Sequence, residues 1–129
     1  MNARRILKVA AISFLAGLAL GAVGLGVIMW KVHAALEEFS ALAQQAHPHP
    51  GDHVAALMDY MNAEEHSLRD RNHAVWALGQ LADPRARPAL EAACTGEPCD
   101  HDRDLCQYEL KKAIKRCGGT PTPPRKKEH

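Results

Sequence analysis

The sequence predicts an all-α protein: one membrane-spanning helix followed by a short domain of helical hairpins. Three observations carry this expectation. Residues 9–30 are an unbroken run of apolar and small residues in which Ser13 is the only polar side chain. Beyond residue 53, apolar residues return at i, i+3, i+4 and i+7, the period of a helix buried along one side. Serine, aspartate, proline and glycine stand where helices start and stop.

The chain has 129 residues and a formal net charge of +1. That length suits one small domain plus appendages, and the balanced charge gives no electrostatic footprint for nucleic acid. No GxGxxG, GxxxxGK[ST] or GxSxG occurs, so the dinucleotide, phosphate-loop and nucleophile-elbow signatures are missing. No cofactor, no catalytic residue and no enzymatic activity are expected.

Residues 1–8 are a short basic N-terminus carrying Arg4, Arg5 and Lys8. About 20 apolar residues span a bilayer as a helix, which residues 9–30 satisfy. Trp30 and Lys31 close the run with side chains suited to the interface. A cleaved signal peptide is the competing reading, with small residues around Val32-His33-Ala34, but signal-peptide apolar regions run to about 7–15 residues. The basic flank keeps the N-terminus cytoplasmic and sends the rest across the membrane, into the periplasm of a bacterium. Gly17 and Gly21 stand four apart, as do Ala22 and Gly26. Such spacing lets two membrane helices approach closely and permits a homodimer through Gly17 and Gly21; it also arises wherever small residues are common.

Residues 31–52 hold an amphipathic helix at 34–46, with Leu36, Phe39 and Ala43 on one side, and then His47-Pro48-His49-Pro50-Gly51, which no helix continues through. His47, His49 and His53 read as solvated linker histidines, because other metal-ligand types and a rigid element are missing there.

Residues 53–118 form the helical domain. Asp52 caps a helix at 54–65 whose stripe is Val54, Leu57, Met58 and Met61. Ser67 caps the next helix, with Asp70 in its first turn, where the helix dipole favours a carboxylate. Leu68, Val75, Leu78, Leu81 and Ala82 make its stripe. Asp83-Pro84 breaks that helix, and Pro88 fits the first turn of the following one. A turn at 95–98 leads to a helix at 102–117, capped by Asp102, with Cys106, Leu110, Ala113, Ile114 and Cys117 as its stripe. Gly118-Gly119 ends it. A shift of 36 residues lays Ala113-Ile114 on Ala77-Leu78, which reads as a degenerate second repeat unit. Residues 119–129, rich in proline and charge, are expected to be a disordered tail.

The residues Ala77-Leu78-Gly79-x-Leu81-x-Asp83-Pro84-Arg85-Ala86-x-Pro88-Ala89-Leu90 resemble the HEAT-like repeats of the phycobilisome-lyase type. The resemblance is strong over residues 77–90 and weaker over residues 54–117. The family's usual Val-Arg is Asp70-Arg71 here, so an apolar contact is missing at the start of that helix. The resemblance implies an α-solenoid fragment that binds other proteins; it implies no particular partner and no catalysis. An array this short has a marginal core and needs a staple, an oligomer or a bound partner.

Cys94, Cys99, Cys106 and Cys117 lie near the C-terminus together with His101. In an oxidising compartment disulfides are the default for an even number of cysteines. Cys106 and Cys117 would stand about 16 Å apart on one helix, and a bridge needs Cα atoms within about 7 Å. The expected bridge is therefore Cys99–Cys106, with Cys94–Cys106 as the alternative and Cys117 unpaired. A second reading makes Cys94, Cys99, His101 and Cys106 a metal or redox cluster, although no CxxC pair supports it. Asp59, Glu64, Glu65 and Asp70 lie near His66 and His73, but no nucleophile–base–orienter set can be assembled from them. Trp76, beside the stripe, and Tyr60, its expected neighbour, are candidate anchors for a partner. The function these readings favour is a membrane-anchored interaction or scaffolding module outside the cytoplasm, with an unidentified protein as partner.

Overall fold

A computed structural model of the chain describes residues 2–120. These residues form five α-helices and one 3-10 turn, with no strand among them, in agreement with the all-α expectation. The expected tail, residues 119–129, lies outside the described residues beyond Thr120.

The chain divides into two compact units, one up to Ala35 and one from Leu36 onward. Helix α1, Ala3–Ala46, runs through both as 44 residues without a break. No proline occurs between residues 3 and 46, and the first stop signal is His47-Pro48. The amphipathic stretch at 34–46 is thus the end of the apolar helix rather than a separate element. In the first unit the apolar side chains from Ile6 to Trp30 are exposed. The helix is long and apolar enough near its N-terminus to cross a membrane.

The second unit holds the core. Phe39, Ser40 and Ala43 of α1 are buried in it. Helix α2, His53–Asn62, starts at Asp52, whose carboxylate accepts the Ala55 N–H at 3.1 Å. Val54, Leu57 and Met61 are buried as expected, and Met58 packs partly against them. Helix α3, Leu68–Leu81, starts at Ser67, whose hydroxyl accepts the Asp70 N–H. A 3-10 turn at Pro84–Ala86 then leads into helix α4, Arg87–Ala93, with Pro88 in its first turn. Helix α5, Gln107–Arg116, closes the unit.

Helix α3 packs against α2 on one side and α5 on the other. Its buried residues are Ala74, Val75, Ala77, Leu78 and Gly79. Small residues dominate, and at Gly79 the reason is geometric. A Cβ there would lie 3.1 Å from both Cα and Cβ of Ala113, so glycine sets how closely α3 and α5 approach. Leu78, Leu90, Leu110, Ile114 and Leu57 are all fully enclosed around this contact.

Two expectations need correction. Ala82 is no part of the α3 stripe: it is exposed and forms the left-handed C-cap at φ 52°, its N–H donating to the Leu78 carbonyl. Leu81 is only partly buried for the same reason, because the helix ends there. The last helix begins at Gln107 rather than Asp102. Asp100 accounts for this: its side chain takes the Asp102 N–H at 3.1 Å and its carbonyl takes the Asp104 N–H at 2.9 Å, forming a local turn that competes with helix. Cys106 therefore caps α5 instead of lying in its stripe.

Replacing Leu78 by alanine empties the centre of this packing and is expected to cost about 2–5 kcal/mol. Urea melts of the full chain in detergent measure it; an unchanged midpoint would exclude Leu78 from the core. Ala82→Gly removes the left-handed strain of an L-residue and should raise stability by about 0.5–1 kcal/mol in the same assay.

Candidate functional site

Three features of the second unit bring reactive or recognition-competent side chains together. The first is a row of six rings. Trp76 tilts on His73 with centroids 5.1 Å apart. His73 stacks on Phe39 at 4.3 Å, and Phe39 meets Tyr60 edge-on at 5.3 Å. Tyr60 stacks on His66 at 3.7 Å with the planes nearly parallel. His47 closes the row edge-on to both Tyr60 and His66, and the two imidazole Nε2 atoms hydrogen-bond at 3.0 Å.

This row changes two sequence-based readings. Tyr60 is 5% exposed and faces the core, so burial pushes its phenol pKa up, with the Asp70 charge adding to the effect. It offers no surface for a partner and is not a neighbour of Trp76, since Phe39 and His73 stand between them. Trp76 is half-buried. The histidine linker is not simply solvated. His47 belongs to the ring row, and His49 pairs with Asp59 at 2.5 Å while its backbone exchanges two hydrogen bonds with the Gln44 amide. His53 alone of the three is exposed. Partners 10 and 19 residues away make these contacts, beyond the reach of a local pattern.

The second feature is the α3–α4 corner. The Arg85 guanidinium bridges two carboxylates that each cap an element, Asp52 at the start of α2 and Asp83 at the start of the 3-10 turn, both at 2.9 Å. Asp52 is held below the usual carboxylate range, first by the Ala55 N–H and then by Arg85. Asp83 is lowered mainly by the Arg85 side chain and then by the Arg85 N–H.

The third is the thirteen-residue connection between α4 and α5. Gln107, 3% exposed, ties its ends together: Oε1 accepts the Thr95 N–H at 2.8 Å and Nε2 donates to the Leu105 carbonyl at 3.1 Å. Asn72 of α3 accepts the Cys106 N–H at 2.7 Å. Within this loop Cys99, His101 and Cys106 place their ligand atoms within 4.8 Å of one another. The expected Cys99–Cys106 bridge is not formed. All four cysteines are free, and these two sulfurs are 3.8 Å apart, well beyond a bond of about 2.05 Å. Cys94, the alternative partner, is also free; it is fully enclosed in the core and is not one of the three converging ligands. Cys117 is buried too, its thiol donating to the Leu78 carbonyl and pushed up in pKa by burial. The Cys99 thiol is lowered, first by the Tyr108 N–H at the start of α5 and also by Cys106 and the Gln107 N–H. A second group, His47, Glu65 and His66, also converges within 4.8 Å.

An open cleft of about 460 Å³ runs between the ends of α2 and α4 and this loop, lined by Arg71, Ala92 and Arg103 among others. On α1, Gly17 and Gly21 line an exposed apolar groove, and a Cβ at either would meet nothing within 4 Å.

The family model of the PBS lyase HEAT-like repeat matches residues 70–96. That span covers α3 from Asp70 onward, the Arg85 corner and α4, and includes residues 77–90, which carry the resemblance. No curated protein and no solved structure matches the chain.

The Arg85 bridge has a signed pH dependence. Both carboxylates have folded pKa values below their unfolded ones, so their contribution is present above about pH 4 and lost as pH falls through the folded values. Arg85→Ala should lower the melting temperature at pH 7, with the deficit shrinking on acidification below about pH 4 and in high salt. Melts from pH 3 to 7 at two ionic strengths test this.

Proposed function

We propose that the chain is a membrane-anchored interaction module, held by α1, whose helical domain docks a segment of another protein outside the cytoplasm. The observation that carries this reading is the HEAT-like hairpin at residues 70–96 bordering an open cleft. HEAT-type units are stacking elements that bind along their exposed faces. Here α3 and α4 supply one unit, and α5 stands where a second would begin, which makes a short α-solenoid fragment. A fragment this small leaves helix faces that a partner can cover. Trp76 supplies a half-exposed aromatic anchor of the kind that dominates interfaces. Arg4, Arg5 and Lys8 ahead of the apolar run favour a cytoplasmic N-terminus.

Two measurements test this reading. A C-terminal alkaline phosphatase fusion should be active and a C-terminal fluorescent fusion dark; the reverse pattern overturns the topology. Photo-crosslinking residues placed at Trp76 and Ala92 in intact membranes should each give one discrete adduct with another protein. Absence of an adduct at both positions overturns the docking role.

A further inference from the structure

We propose that Cys99, His101 and Cys106 form a binding site for a thiophilic divalent cation of the zinc class, and that the ion staples the α4–α5 loop to the start of α5. Three donors of the right softness converge: two sulfurs and one imidazole nitrogen, all within 4.8 Å of one another. Thiolate and imidazole together are the ligand set of zinc rather than of calcium or magnesium, which take oxygen.

The sulfur separation discriminates between the two fates of this cysteine pair. At 3.8 Å the sulfurs are in contact and not bonded. Two thiolates held about 2.3 Å from one tetrahedral ion, at an angle of about 109°, are about 3.8 Å apart. The pair already has the spacing of metal-bound thiolates.

The loop supplies the reason for a staple. Between Cys94 and Cys106 its only buried side chains are Cys94, at its first position, and Leu105. Structureless connections of about 12–15 residues are uncommon in compact domains and are usually functional. Gln107 fastens Thr95 and Leu105, while residues 97–104 are exposed and held mainly by local turns around Asp100. Cys99 and His101 lie in that exposed middle and Cys106 at the fixed end, so a common ion would join the two. Free cysteine is among the most buried residue types. Cys94 and Cys117 follow that rule, whereas Cys99 is exposed and Cys106 half-buried, the two sulfurs in contact. Three protein ligands leave one tetrahedral position for water.

The test uses the full chain, purified in detergent with reductant, stripped with chelator and titrated with Co²⁺. One equivalent should produce a near-ultraviolet thiolate-to-cobalt charge-transfer band that Zn²⁺ abolishes. Cys99→Ser and Cys106→Ser should lose the band. His101→Ala, at an exposed position, should weaken Co²⁺ binding about tenfold or more, and His53→Ala should leave it unchanged. Zn²⁺ should also raise the melting temperature of the native sequence but not of Cys106→Ser. Absence of a charge-transfer band overturns the proposal. So does a band that persists in Cys99→Ser, or a Cys99–Cys106 disulfide found by peptide mapping of protein recovered from membranes without reductant.

Discussion

The close contact between α3 and α5 at Gly79 and Ala113 is the constraint on which the helical unit depends. It brings the two helices near enough for Leu78, Leu110 and Ile114 to be sealed from water. A unit this small buries a modest fraction of its surface, so the few fully enclosed side chains carry a large share of its stability. Polar bonds then fix what the apolar contacts leave free. Arg71 Nε donates to the Met61 carbonyl at the end of α2, at 2.8 Å. Asn72 takes the N–H of Cys106, the cap of α5, and Arg85 joins the starts of two elements. Each of these arginine or asparagine residues lies on α3 or at the corner after it.

The parts of this fold legible in the sequence are those set by neighbours in the chain. The apolar run of α1, the Ser67 and Asp52 caps and the Asp83-Pro84 corner all follow from residues within four positions of one another. The departure from the family at Asp70 is local as well. Its carboxylate accepts the Ser67 hydroxyl at 2.7 Å, so the helix gains a polar first turn where an apolar contact would otherwise sit. What sequence reading missed depends on distant partners. Cys106, the cap of α5, is held by Asn72, 34 residues earlier, which takes its N–H. Gln107 reads as a polar helix residue, yet it is buried because its amide satisfies both ends of a loop. Tyr60, expected beside Trp76 as a partner anchor, is instead covered by Phe39 from α1 and His66 from the next turn.

The candidate site was legible in its residue types and not in its geometry. Cysteine count and spacing assigned Cys99 and Cys106 to each other, and the structure does bring them face to face. Spacing alone left Cys94 in the same cluster. Its removal follows from α4, which ends at Ala93 and turns the Cys94 side chain into the core. His101 stays, because the turn at Asp100 carries it back toward the two sulfurs. The histidine group at His47 and His66 differs in kind. Those rings satisfy one another by a hydrogen bond, with one imidazole donating and the other accepting, inside a row of aromatic contacts. That arrangement completes a packing problem without needing an ion.

The loop and the hairpin are mechanically joined, and this bears on what a helical unit of this size can do. Cys106 caps α5, its N–H rests on Asn72 of α3, and α5 packs on α3 at Gly79. Order in the loop is therefore passed to the α3–α5 helix pair. The same loop supplies Arg103 and Leu105 to the rim of the cleft beside α4. Fixing it does two things at once: it lowers the entropy of a long connection in the folded unit, and it sets the shape of one wall of the cleft. Among the described residues the HEAT-like match covers one hairpin, whereas in longer arrays neighbouring repeats hold such a wall in place. In this chain, the loop's own fastening takes over that task.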